Sequence, residues 1–129
     1  MELTNASIEL INAEDIVFAR RHYIIEGEVK RLNINILVNT GVYNLCINES
    51  IQAQMKLPFI EKRMLQLANG SIEVYNMVGP VVVKFKNHQT ICNALVLKGD
   101  NESQLGSIPL SDLLAPVQKI KPKLLREKF

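Results

Sequence analysis

Cysteine is scarce in this chain: of 129 residues only two, Cys46 and Cys92, are cysteine. Two thiols cannot build the multi-bridge framework of a small secreted domain. Both sit in apolar, strand-like runs, and we expect them as reduced, buried thiols. Spacing alone leaves a disulfide between them open. Charge of one sign is scarce as well. Fifteen Lys and Arg against thirteen Asp and Glu leave a net charge of +2. A dedicated nucleic-acid binder concentrates positive charge, so no nucleic-acid partner is expected. No apolar run approaches the ~20 residues that cross a bilayer, which excludes a membrane-spanning helix. Met1 to Asn5 has no basic segment followed by an apolar one. We therefore expect no signal peptide and a cytoplasmic protein. The Asn-X-Ser sequons at Asn5, Asn48, Asn69 and Asn101 are then chance matches. His22 and His88 stand at no metal-like spacing from each other or from the cysteines, so we expect surface histidines, no metal and no cofactor. The chain has no internal repeat and no low-complexity segment.

Apolar residues, in contrast, make up 47% of the chain, enough for a core. The length suits a single domain, 1–129, with a core over about residues 7–116 and a basic tail over 117–129. Ser7 to Ile11 alternates as a strand does, and Asn12 can cap a short helix reaching about Arg20. Glu28 to Val38 is strand-like, with Asn33 and Asn35 on one face and apolar residues on the other. Tyr43 to Ile47 forms a further strand. Asn48 can cap a helix from about Glu49 to Lys56, which Leu57-Pro58 ends. Arg63 to Leu67 and Ile72 to Val78 flank Asn69-Gly70, a strong hairpin signal. Gly79-Pro80 breaks the chain. Val81 to Phe85 and Ile91 to Leu97 form a second hairpin about Asn87-His88. After a polar loop at Gly99 to Glu102, Ser111 can cap a turn of helix from Asp112 to Ala115, ended by Pro116. Many short strands with close turn signals predict a mainly β barrel or sandwich with two or three short helices.

One triplet carries chemical information. Asn39-Thr40-Gly41 follows the alternating run Leu32, Ile34, Ile36 and Val38. Alone, Asn-Thr-Gly is a common turn sequence. Four other stretches accompany it: Ile8 to Asp15, Leu67-Ala68-Asn69-Gly70-Ser71, Asn93-Ala94-Leu95-Val96-Leu97, and Leu105-Gly106-Ser107-Ile108-Pro109-Leu110. In this order, over about residues 8–114, they resemble the retroviral-type (retropepsin-like) aspartic proteases, and more closely a small prokaryotic group of single-domain relatives.

The resemblance implies a small closed acid-protease β-barrel. It also implies a homodimer in which each chain contributes one Asp-Thr-Gly loop to a peptide-cleaving site. Asn39, Thr40 and Gly41 hold the catalytic positions, with asparagine in place of aspartate. Ala68, Asn69, Gly70 and Ser71 correspond to the flap over a bound peptide, although Asn69-Gly70 is equally an ordinary hairpin turn. Leu105 and Gly106 belong to an element packed behind the catalytic loop. Gln104 puts a polar residue where the family has an apolar one, a minor departure. Val42 is a second, since the family has Ala or Ser there.

In the family two carboxylates about 3 Å apart share one proton, so one acts as base on a water and the other polarises the scissile carbonyl. Asparagine keeps the size of aspartate but has no titratable group. A homodimer would hold no base. General-base catalysis contributes about 10²–10⁴-fold, so negligible peptidase activity is expected. Asp15, Asp100 and Asp112 lie outside the motif and form no replacement pair; Asp112 is most simply a first-turn residue. The asparagine is either natural, in a pseudoenzyme that keeps a peptide groove, or an introduced change in an active peptidase. Asn69 and Asn93, where relatives commonly have aspartate, favour a natural origin. A non-enzymatic assembly module with a filled groove is the third reading. The tail's Leu124-Leu125 pair could serve a dimer interface.

Overall fold

The computed structural model describes residues 4–114. The basic tail 117–129 and the helix end expected at Ala115-Pro116 lie outside them. Seven strands and three short α-helices make a mainly β domain. The strands are β1 (Thr4–Asn12), β2 (Arg31–Val38), β3 (Leu45–Asn48), β4 (Phe59–Gln66), β5 (Ile72–Phe85), β6 (His88–Leu97) and β7 (Gln104–Leu105). The helices are α1 (Ala13–Arg20), α2 (Glu49–Met55) and α3 (Ser107–Leu114). One mixed sheet runs β1-β2-β7-β3-β6-β5-β4, and β1 also pairs with β5.

The local signals work as polar chemistry requires. Asn12 caps α1, its Oδ1 accepting from Asp15 N at 3.1 Å. Asn48 caps α2 in the same way, accepting from Ile51 N at 2.9 Å. Each side chain satisfies one of the N–H groups that a helix start leaves unpaired. Asn12 does more. It is fully buried, and its Nδ2 donates to Met55 O at 3.0 Å. One amide thus ties the end of β1 and the start of α1 to the last turn of α2.

Three expectations change. The stretch from Glu28 divides: Glu26–Glu28 forms a 3-10 turn, closed by Ile25 N donating to the Glu28 carboxylate at 3.0 Å, and β2 begins only at Arg31. Gly79-Pro80 does not break the chain. β5 runs through it as a bulge between Val78 and Val81, where proline's missing N–H is not needed by the ladder. Helix α3 starts at Ser107, four residues before the expected cap at Ser111. Pro109 lies in its first turn, where no N–H is required. Asp112 is accordingly past the first turn, where its carboxylate accepts from Thr90 Oγ1 at 3.0 Å.

Alternation along the strands sorts the apolar residues into layers. Ile8, Leu10, Ile36, Val38, Leu45, Ile47, Val81, Val83 and Leu105 share the main core with Met55 of α2 and Leu113 of α3. Ile11 and Val82, which point the other way, pack under Ala13, Ile16 and Ala19 of α1. A third cluster, Cys46, Met77 and Leu95, packs with Leu65, Tyr75 and Leu97.

Asn12→Ala removes the cap and leaves the Met55 carbonyl without its side-chain donor. We expect a loss of about 2–4 kcal/mol, read as a lower urea midpoint with an unchanged slope.

Candidate ligand-binding cleft around Asn39

β2 ends at Val38, and the chain turns through Asn39 to Asn44 before β3. Two bonds shape the turn: Gly41 N donates to Asn39 Oδ1 at 2.9 Å, and Val42 N donates to Asn39 O at 3.3 Å. An Asn side chain closing on a backbone N–H two residues ahead is a standard device for a tight turn. β7 is wedged between β2 and β3, parallel to the first and antiparallel to the second. From there Leu105 O accepts from Asn39 N at 3.1 Å.

Gly106 lets the next segment touch the loop. A Cβ here would fall on the Asn44 carbonyl oxygen and 2.6 Å from the Tyr43 carbonyl carbon. The close approach allows Ser107 N to donate to Val42 O at 2.8 Å and Ile108 N to Tyr43 O at 3.1 Å. The loop carbonyls thereby satisfy the first N–H groups of α3.

Asn39 is half-buried, while Thr40 and Gly41 are exposed. Its Nδ2 donates to Gln104 Oε1 at 3.0 Å. Gln104, expected only as a minor departure, is thus a direct partner of Asn39. Among the described residues no carboxylate hydrogen-bonds to Asn39.

Beside the loop lies a cavity of about 560 Å³. Gly41, Val42, Tyr43 and Asn44 of the loop line it together with Leu65, Gln66, Leu67, Ala68 and Tyr75 of the β4–β5 hairpin. Cys46, Leu95, Leu97 and Gln104 complete the lining. The hairpin turn is built by Gly70 N donating to Leu67 O at 2.9 Å and Leu67 N to Ser71 O at 2.8 Å. It is a three-residue loop, Ala68 to Gly70, in place of a two-residue Asn-Gly turn. Gly70 takes φ +88°, a conformation that costs a residue with a side chain. Asn69 Oδ1 accepts from Ser71 N and Ser71 Oγ at 2.9 and 2.7 Å.

Of the residues singled out in the sequence, Gly41 and Ala68 line the cavity. Asn39 and Thr40 stand next to its wall, Asn69 to Ser71 form the exposed hairpin tip, and Leu105 and Gly106 lie behind the loop. Tyr43, Cys46, Leu65, Tyr75, Leu95 and Leu97 were missed. Strand alternation offered a signal, since Cys46 is the register partner of Leu95 and Leu97 follows two residues on.

Among the described residues no charged side chain lines the cavity. Burial pushes the Cys46 thiol up to about 11, so it stays protonated near neutral pH. The Tyr75 hydroxyl donates to the Glu73 carboxylate at 2.7 Å, which raises its pKa. Neither group supplies a base. Cys92, half-buried and not fully so as expected, is also free and raised to about 11, by burial and then by Asp112. His22 is exposed and His88 half-buried. Asp15 is buried and paired with Lys30 at 3.1 Å. Among the described residues no cluster of His, Cys, Asp and Glu could hold a metal ion, and no helix is long and apolar enough to cross a membrane. No protein-family model and no curated protein sequence matches the chain significantly.

Two outcomes follow from this geometry. Gly106→Ala should cost about 3 kcal/mol in thermal or urea unfolding, because backbone atoms of the loop must move. The thiols predict an alkaline loss of stability. Their pKa rises from 9.0 unfolded to about 11 folded, so the native state holds its protons longer. This contribution is complete below pH 9 and falls away as pH climbs toward 11. Urea unfolding at intervals across that window measures it, and Cys46→Ala should flatten the decline.

Proposed function

We propose that this protein is a catalytically silent relative of the retroviral-type aspartic proteases that binds extended peptide as a homodimer. The observation that carries the reading is the open cleft of about 560 Å³ between the Asn39 loop and the β4–β5 hairpin. Its size falls among ligand pockets of about 300–1,000 Å³. It also lies between the two segments that the sequence resemblance marks as catalytic loop and flap. The pairing order supports the barrel: β1 joins β2 on one side and β5 on the other, so the ladder β1-β2-β7-β3-β6-β5 returns to its first strand.

The chemistry follows from the lining. Tyr43, Leu65, Leu95 and Leu97 favour apolar side chains. Backbone and amide groups of the loop and hairpin suit the strand-like main-chain pairing by which extended peptides bind. Hydrolysis would need a base on the attacking water, and the loop offers only a neutral amide. An assembly module with a filled groove is disfavoured, because none of the described side chains fills the cavity.

NMR titration with a blocked hexapeptide carrying leucine or phenylalanine at alternate positions tests the reading. Amide shifts should concentrate at Gly41, Tyr43, Ala68 and Leu97, with no cleavage between acidic and neutral pH. Shifts absent at saturating peptide would overturn peptide binding. In sedimentation velocity the protein should run as a dimer; a folded monomer at high concentration would remove the shared two-chain site.

A further inference from the structure

The two amides at the loop touch each other, and both stand at positions where the family pattern has something else. Asn39 replaces an acid, and Gln104 replaces an apolar residue. Asn39 Nδ2 donates to Gln104 Oε1 at 3.0 Å, while Asn39 Oδ1 accepts from Gly41 N at 2.9 Å. Both ends of the Asn39 side chain are therefore engaged within its own chain. Gln104 reaches it from β7, where its backbone is in register with Leu37 on one side and Cys46 on the other. An apolar side chain at 104 could make no such bond.

We propose that Gln104 is a positioning residue that fastens the side chain at position 39 to the cleft wall, and that Asn39→Asp alone therefore leaves the new carboxylate held within its own chain instead of sharing a proton with a second copy. The sharing step rests on the dimeric, protease-related reading above; the fastening does not.

A carboxylate only accepts hydrogen bonds, so the present donor at Nδ2 would become an acceptor. The Gln104 amide can meet it by turning half a revolution about its last bond, which places Nε2–H where Oε1 now stands. The carboxylate would then accept from Gly41 N–H and from Gln104. Both bonds favour its charged form. The titratable groups on the surrounding cleft wall are Tyr43 of the loop, Cys46 of β3 and Tyr75 of β5. Burial keeps the Cys46 thiol protonated near pH 7, the Tyr75 hydroxyl is engaged by the Glu73 carboxylate, and among the described residues no Lys, Arg, Asp or Glu lines the wall. A carboxylate dyad works in the opposite sense. It requires one member to retain its proton because its neighbour is charged.

The test compares Asn39→Asp with Asn39→Asp/Gln104→Leu in the full-length chain. The titration of the introduced carboxyl is followed by carbon NMR, and peptide cleavage is assayed in parallel. With Gln104 present, the carboxyl should bind its proton about tenfold more weakly than with leucine at 104. Gln104→Met, which keeps the length and removes the amide, provides the same comparison if the leucine variant does not fold. Equal titration midpoints with and without the Gln104 amide would overturn the proposal. In the cleavage assay the double variant should exceed the single one by at least about tenfold. A single variant that cleaves as fast as the double one would overturn it too. Different midpoints with no cleavage in either variant would uphold the role of Gln104 and count against the protease-related reading instead.

Discussion

β7 contributes only two residues, yet the position of the Asn39 loop depends on where they lie. Wedged between β2 and β3, they hold apart the strands that carry the chain into the loop and out of it. Leu105 fills the main core from below, its carbonyl takes the Asn39 N–H, and the Gln104 side chain takes the Asn39 amide. A loop fastened by its backbone, by its side chain and by the strand behind it cannot rearrange without opening the sheet. The packing of the core and the geometry of the cleft are in this sense one constraint.

The same economy governs the helix after β7. Bare of a side chain, Gly106 brings the first turn of α3 against the loop, and two N–H groups that a helix start would leave to solvent are spent on Val42 and Tyr43. The loop carbonyls are satisfied by the same two bonds. Polar groups in a tight, half-buried turn are costly when left unpaired, and these two bonds pair the Val42 and Tyr43 carbonyls.

The parts of the fold legible in the sequence were those set by near neighbours. The caps at Asn12 and Asn48 act over three residues, and the hairpin at Leu67 to Ser71 over five. Strand alternation likewise separated the faces of β2. What the sequence hid was set at long range. Gly79-Pro80 resembles a break in isolation and becomes a bulge only because strands on either side continue the pairing. The contact between Asn39 and Gln104 spans 65 positions, and no local pattern encodes it. Most of the cleft lining was missed for a related reason: it collects one or two residues from each of five strands, and more from two loops, and each strand by itself resembles ordinary core.

If the proposed peptide binding holds, a cleft lined by thiol, phenol, amide and hydrocarbon groups selects by contour. Among the described residues the lining offers no charged side chain of its own for salt to screen. On the peptide-binding proposal, discrimination between ligands would come from how well a side chain fills the space beside Tyr43, Leu65, Leu95 and Leu97.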